Sequence, residues 1–232
     1  MFSLVFPMDS NRLEQFHQTK LVYDSFPQVK EFVILTREHD KVHAYLKKHK
    51  LLKDVRLIKY EVKEGFNPSK AFNLGVRNAR YDHIIITSPE VKPLTPALAQ
   101  FEESLGQNII CQVSDEDENH NIHLVLVHRG YRDTSPAMYF LALFNKADIE
   151  KINGWDEEFM KGYAYEDDDF GARWNRAGIP WVLREDIQAV HQYHPRTETI
   201  PNGNSINANK FYENNANNVI YCKNGLNLDI EK

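Results

Sequence analysis

Cysteine is scarce. The 232 residues hold two, Cys111 and Cys222, too far apart for a metal-binding pair and too few for a disulfide framework. Reduced thiols in a cytoplasmic protein are the expectation. Basic charge is not in excess either: 28 Lys and Arg against 33 Asp and Glu leave a net charge of −5. Without a basic stripe, electrostatic binding to nucleic acid is not expected. No apolar run approaches the roughly 20 residues of a membrane helix, and the apolar start at Phe2 is too short for a signal-peptide core. No Gly-x-Gly-x-x-Gly follows an early strand, which excludes a dinucleotide-dependent dehydrogenase. The acidic stretch Ser114 to Asn119 lacks the spaced ligands, central glycine and terminal glutamate of an EF-hand. It reads as a solvated loop.

What is present suits one globular α/β domain, with 42% hydrophobic residues and a sizeable core. Apolar runs at Phe2 to Phe6, Glu31 to Thr36, Val55 to Tyr60 and His83 to Thr87 read as strands buried on both faces. Helical periods lie between them, from Leu13 to Tyr23, around Val42 to Leu46 and from Asn67 to Asn78. That alternation predicts a doubly wound unit, whose ligands sit beyond the carboxyl ends of the strands. The residues there are Pro7 to Asn11, Thr36 to Glu38 and Ser88 to Glu90. Further on, His123 to His128 predicts a strand of a smaller antiparallel section, and Ala137 to Phe144 a buried strand. Two short strands, Trp181 to Leu183 and Ile187 to Val190, follow Pro180. The polar stretch from Pro195 to Asn209 has no apolar period. A terminal helix is expected from Ala208 to Ile220.

The densest signal is Ile152 to Trp174. Four consecutive acids, Glu166 to Asp169, stand between aromatics and open an amphipathic helix marked by Phe170, Trp174 and Ala177, with Gly178 and Pro180 to stop it. One or two acids complement a helix dipole. Four adjacent, ring-flanked carboxylates cost more than a cap requires, and such clusters mark sites with perturbed pKa values.

Asn153 to Phe159 followed by Gly162 to Phe170 resembles the "NGF…GWGGEDDD…R…G" block of family-2-like GT-A glycosyltransferases, of the β-1,4-galactosyltransferase and chondroitin-polymerase type. The segment from Pro7 to Glu14 is similar to that family's "P-x-x-N-R-x-E", though a helix N-terminus capped by Asp9 or Ser10 explains it equally well. Gly65 to Ala79 resembles "FNRAKLLNVGF…A", with Pro68 in place of the arginine. Ser88-Pro89-Glu90 stands where the family carries its DxD motif, and His191 where it presents a histidine. The resemblance implies a GT-A fold: a mostly parallel central sheet, flanking helices and a small antiparallel section. It divides the domain into a nucleotide half (1–93), an acceptor and catalytic half (94–194) and a lid with a terminal helix (195–232).

It further implies transfer of a sugar from a UDP-sugar to a saccharide hydroxyl, with inversion. Asp167 would be the general base, assisted by Glu166. Donor contacts would come from Pro7, Asp9, Thr36, Glu38, Lys70, Asn73 and Ser88, although a solvated helix lysine explains Lys70 as well. Trp155, Tyr165 and Asp168 would meet the acceptor, with Tyr163 a further ring face. Glu90 and His191, with His194 in reserve, would hold Mn²⁺ or Mg²⁺; an imidazole in the set favours Mn²⁺. Pro195 to Asn209 would close over the donor, unless it is a plain connector. The Golgi members carry an N-terminal membrane anchor; without one here, the expectation is either a cytoplasmic protein or an excised domain. Two readings compete: a catalytically idle GT-A domain that binds carbohydrate or a partner, and a transferase of the same fold with a different nucleotide-sugar donor or a retaining outcome. The donor sugar, the acceptor and the oligomeric state stay open.

Overall fold

Alternation along β1 (Phe2–Pro7) builds two cores at once. Phe2, Leu4 and Phe6 point to one face of the sheet and Val5 to the other, as expected for a strand covered on both sides. The computed structural model describes residues 1–27, 29–61, 68–123, 141–162, 164–195 and 202–226, without the side chains of Lys30, Leu98 and Gln112. Chain order continues through α1 (Leu13–Asp24), β2 (Val29–Thr36), α2 (His39–Lys48), β3 (Val55–Lys59), α3 (Pro68–Asn78) and β4 (His83–Thr87). After them come β5 (Val91–Pro93), α4 (Ala97–Glu103), β6 (Ile109–Glu116), β7 (Ile122–His123), β8 (Leu141–Asn145) and α5 (Lys146–Lys151). α6 (Glu166–Arg176), β9 (Val182–His191) and α7 (Gly203–Ala216) complete the described elements.

One nine-stranded sheet runs β3-β2-β1-β4-β8-β6-β9-β5, with β7 paired to β6. The β3-β2-β1-β4 part is parallel, β8 is antiparallel to both β4 and β6, and β9 is parallel to β6. This is the α/β architecture expected, with its antiparallel section beyond β4. Strand order reverses about β1, so the crevice for a ligand opens between the carboxyl ends of β1 and β4. α1, α2 and α4 cover one face through Phe16, Val42, Leu46 and Phe101. α3 and α6 cover the other through Phe72, Val76, Phe170 and Trp174.

Several boundaries differ from expectation. The two strands predicted after Pro180 are one, β9, and the three-residue β5 beside it was not foreseen. β9 carries excess chain: Cys111 pairs with Arg184, while the next residue, Gln112, pairs with Gln188. The aperiodic stretch expected through Asn209 is helical from Gly203, because Asn207 and Phe211 are buried against Phe159, Ala164 and Tyr165. Of the strands predicted at His123 to His128 and Ala137 to Phe144, residues 124–140 lie outside the described residues, as do 196–201 of the predicted lid. No helix among the described residues is long and apolar enough to cross a membrane.

Gly75 lets α3 lie directly on the sheet. A Cβ there would stand 2.2 Å from Val5 Cγ1 and 3.0 Å from Leu35 Cδ2. Gly75→Ala gains about 1 kcal/mol of helix propensity but forces overpacking that costs about 1–3 kcal/mol. We expect a net loss, with thermal denaturation a few degrees below wild type; an unchanged or raised midpoint would contradict this packing.

Candidate active site

At the exits of β1 and β2 two carboxylates tie neighbouring loops together. Asp9 accepts from the Arg37 backbone N–H (3.1 Å), from Arg37 Nε (2.7 Å) and Nη2, and from the Thr36 hydroxyl (3.3 Å). Glu38 accepts from the Ser10 N–H (2.8 Å), the Ser10 hydroxyl (2.6 Å) and Lys41 (2.6 Å). The Lys41 bond, then those of Ser10, bring its carboxyl down to about 2. Beside them a cavity of about 320 Å³ is lined by Arg37, Glu38, His39, Asp40, Lys41 and Lys59.

Three of the expected donor residues are buried within the protein. Thr36 and Pro7 are buried beneath the surface, and the Thr36 hydroxyl is engaged by Asp9 and by the Glu38 N–H (3.1 Å). Asn73 is fully buried too. Its amide holds the Gly154–Trp155 turn, donating to the Trp155 carbonyl (2.8 Å) and Glu157 (3.1 Å) and accepting from the Trp155 N–H (2.9 Å). Lys70 is half-buried near the start of α3.

Beyond β4, Glu90 meets the end of β9. Glu90 Oε1 lies 3.5 Å from His191 Nε2 and 3.6 Å from His194 Nε2, and one ligand atom from each of the three falls within 4.8 Å of the others. Burial alone would raise the Glu90 carboxyl, but His191, His194 and Arg12 outweigh it and bring it to about 2. Arg12 Nε stands 3.9 Å from Glu90 Oε2, which is buried with no hydrogen-bond partner; the Ser88 hydroxyl nearby in sequence is likewise buried and unbonded. His194 Nδ1 lies 2.9 Å from the Pro195 carbonyl. A carbonyl only accepts, so Nδ1 donates there, and Nε2 is the ring nitrogen turned toward Glu90. Gln192, between the histidines, donates to the carbonyls of Gln15 (3.2 Å) and Glu90 (3.0 Å) and to the Thr19 hydroxyl (2.9 Å), fastening this loop to α1. Two imidazoles and a carboxylate, with an orphaned carboxylate oxygen, form a donor set that fits a divalent transition-metal ion.

Chain direction brings the acid helix to the same edge. β9 runs parallel to β6, and through two antiparallel steps parallel to β4 and β1. α6, which feeds β9 through a short turn, therefore starts at the edge where His191 emerges. Its entry is strained: Ala164 and Tyr165 both have positive φ, 61° and 69°, each costing on the order of 1–3 kcal/mol. Asn207 of α7 stabilises that backbone, donating to the carbonyls of Ala164 (2.7 Å) and Phe159 (3.0 Å), and the Tyr165 ring packs on Phe211 at 5.6 Å.

The four acids divide by environment. Glu166 is buried, and Asp167 and Asp168 are half-buried. Burial, then the charges of Glu166 and Asp168, raise Asp167 well above the usual carboxylate range. Asp169 is fully buried and structural, accepting from Arg173 Nε (2.6 Å) and Asn214 (2.7 Å). Trp155, expected at the acceptor, lies in the core. It is 0% exposed and stacks on Phe170 at 4.1 Å, so it presents no face to a sugar. Tyr163 lies outside the described residues.

Sequence alone assigns no role to further residues of this region. Arg12, in the Pro7 to Glu14 segment, stands beside Glu90. The start of the acidic stretch at Ser114 belongs to β6: Asp115 lies 3.3 Å from His191 Nδ1, and Glu116 accepts from the Tyr193 N–H (3.1 Å). Asp117 shapes the turn, accepting from the backbone N–H groups of Asn119 and Asn121.

Residues 128–197 match the family described as the N-terminal domain of galactosyltransferase. No curated protein matches the chain in sequence. Among solved structures, the chain is similar to a mannosyltransferase from Pyrobaculum calidifontis in complex with GDP-Man and Mn²⁺, with a TM-score of 0.59 and 15% identity over 86% of this chain and 57% of that one. It is also similar to S. aureus TarS 1–349 in complex with UDP, with a TM-score of 0.62 and 14% identity over 84% of this chain and 61% of that one. A further TarS 1–349 structure, in complex with UDP-GlcNAc, matches at a TM-score of 0.61 and 13% identity, over 84% of this chain and 59% of that one. This chain thus spans about three fifths of the length of these structures.

Proposed function

We propose that this domain of the GT-A glycosyltransferase fold transfers a sugar from a nucleotide-sugar, a UDP-sugar in the first instance, to a saccharide hydroxyl with inversion. The observation that carries the reading is the meeting of Glu90, His191 and His194 beyond β4. Solved relatives in fold hold GDP-Man with Mn²⁺, UDP or UDP-GlcNAc, which supports a nucleotide-sugar donor here.

Glu90, His191 and His194 would hold Mn²⁺. A divalent ion there supplies positive charge to the diphosphate as it leaves. Arg12, beside Glu90, adds a fixed positive charge at the same place. The acceptor oxygen forms its bond to the anomeric carbon as the bond to the diphosphate oxygen breaks, and that electron pair leaves with the diphosphate. The acceptor proton passes to the Asp167 carboxylate, a base made stronger by its raised pKa. Glu166 and Asp168 keep that pKa up, and Asp168 with Tyr165 borders the acceptor.

Calorimetric titration with UDP tests the metal reading. With Mn²⁺ we expect wild type to bind UDP and chelation to abolish most of that affinity. Glu90→Ala should lose Mn²⁺-dependent affinity by about 100-fold or more, beyond the range for losing an outer partner of a ligand. Equal UDP affinity in wild type and Glu90→Ala would contradict the assignment.

A further inference from the structure

Metal-binding histidines work only when the ring is turned and its proton is on the far nitrogen. For His194 the Pro195 carbonyl does both. For His191 the corresponding group is Asp115, a residue of the stretch that reads in sequence as solvated loop.

We infer that Asp115 is a positioning residue of the metal centre, holding His191 by Nδ1 so that Nε2 is presented to the ion beside Glu90; this rests on the metal reading of the proposed function. The two nitrogens of the ring face opposite carboxylates, Nδ1 at 3.3 Å from Asp115 Oδ1 and Nε2 at 3.5 Å from Glu90 Oε1. A carboxylate at Nδ1 keeps the proton there and raises the basicity of Nε2.

The placement is built by strand pairing. Asp115 and His191 are register partners in the parallel β6–β9 ladder. Had the ladder continued from the Cys111–Arg184 pair without the excess chain in β9, Asp115 would stand opposite Gln188. The chain inserted between Arg184 and Gln188 carries His191 up to Asp115. The next residue, Glu116, holds the Tyr193 N–H, so the end of β6 secures the segment that bears both histidines.

The test uses the full chain without nucleotide, titrated with Mn²⁺ and read by the electron paramagnetic resonance signal of the free ion. Asp115→Ala should weaken Mn²⁺ binding about 10- to 100-fold. Asp115→Asn, which keeps an acceptor but no charge, should fall between that variant and wild type. Glu118→Ala, which removes an exposed carboxylate from the neighbouring turn, should bind as wild type. Denaturation midpoints should agree across the set, since Asp115 is 60% exposed, so a general loss of fold cannot mimic the result. Wild-type affinity in Asp115→Ala overturns the proposal, as does an equal loss in Glu118→Ala. Failure of wild type itself to bind Mn²⁺ overturns the metal reading along with it, and is distinguished because it is seen without any substitution.

Discussion

Asp167→Asn should lower transfer by about 10²–10⁴-fold, the range for removing a general base, while making the protein more stable at neutral pH. The two effects share one cause. Burial and the charges of Glu166 and Asp168 hold the Asp167 carboxyl well above its ordinary range in the folded protein. In the unfolded chain it ionises near pH 4. As pH rises from there to the folded pKa, the unfolded state gains by losing its proton before the folded state does, so wild type loses stability across that window. Asparagine cannot ionise and avoids the loss. The stability gain should therefore be complete above the folded pKa and vanish below about pH 4. Denaturation curves at several pH values, run beside the transfer assay, check both halves. An Asn variant that is active, or less stable than wild type at pH 7, would contradict this role.

Arg173→Met should destabilise the fold by about 3–5 kcal/mol, the cost of leaving a buried partner charge alone. That corresponds to a fall in melting temperature on the order of 10 °C for a chain of this size. Arg173 and Asp169 are both fully buried. Beyond that pair, Arg173 donates to the carbonyls of Ile152 and Gly154, each at 2.8 Å, and so binds α6 to the Gly154–Trp155 turn. Cys222 and Asn224 close the same turn from the other side: the Cys222 carbonyl accepts from Asn153 (2.7 Å) and the Asn224 carbonyl from the Glu157 N–H (2.7 Å). Replacing both charges, as Asp169→Leu with Arg173→Met, should recover part of the loss, because neither charge is stranded although the Ile152 and Gly154 carbonyls and the Asn214 amide lose a partner. A single variant as stable as wild type in urea denaturation would show that the pair is not the tie described.

The strands of the parallel half were legible because burial on both faces forces unbroken apolar runs, and Phe2 to Phe6 could hardly be anything else. α6 was legible for a similar reason: Phe170 and Trp174 repeat at helical spacing and Gly178 ends it. Less visible was where polar groups spend their hydrogen bonds. Thr36 and Asn73 fall at positions that suggest a ligand, yet both point into the protein to brace Asp9 and the Trp155 turn. Trp155 sits in a motif that suggests a sugar platform, and only the stacking on Phe170 shows it to be core. Asp115 was unreadable because its partner is 76 residues away and the pairing depends on irregular chain within β9. The strained entry to α6 did have a signal: Ala164 and Tyr165 stand where the resembled block carries two glycines, and both adopt the left-handed backbone that glycine favours.

The measurement that tests the account most directly is release of UDP from a panel of UDP-sugars, with a saccharide acceptor mixture and Mn²⁺, by wild type and Asp167→Asn. Turnover of one donor by wild type, lost on chelation and reduced at least about 100-fold in Asp167→Asn, is the result predicted. Wild type that binds Mn²⁺ but neither binds nor turns over any UDP-sugar would contradict it.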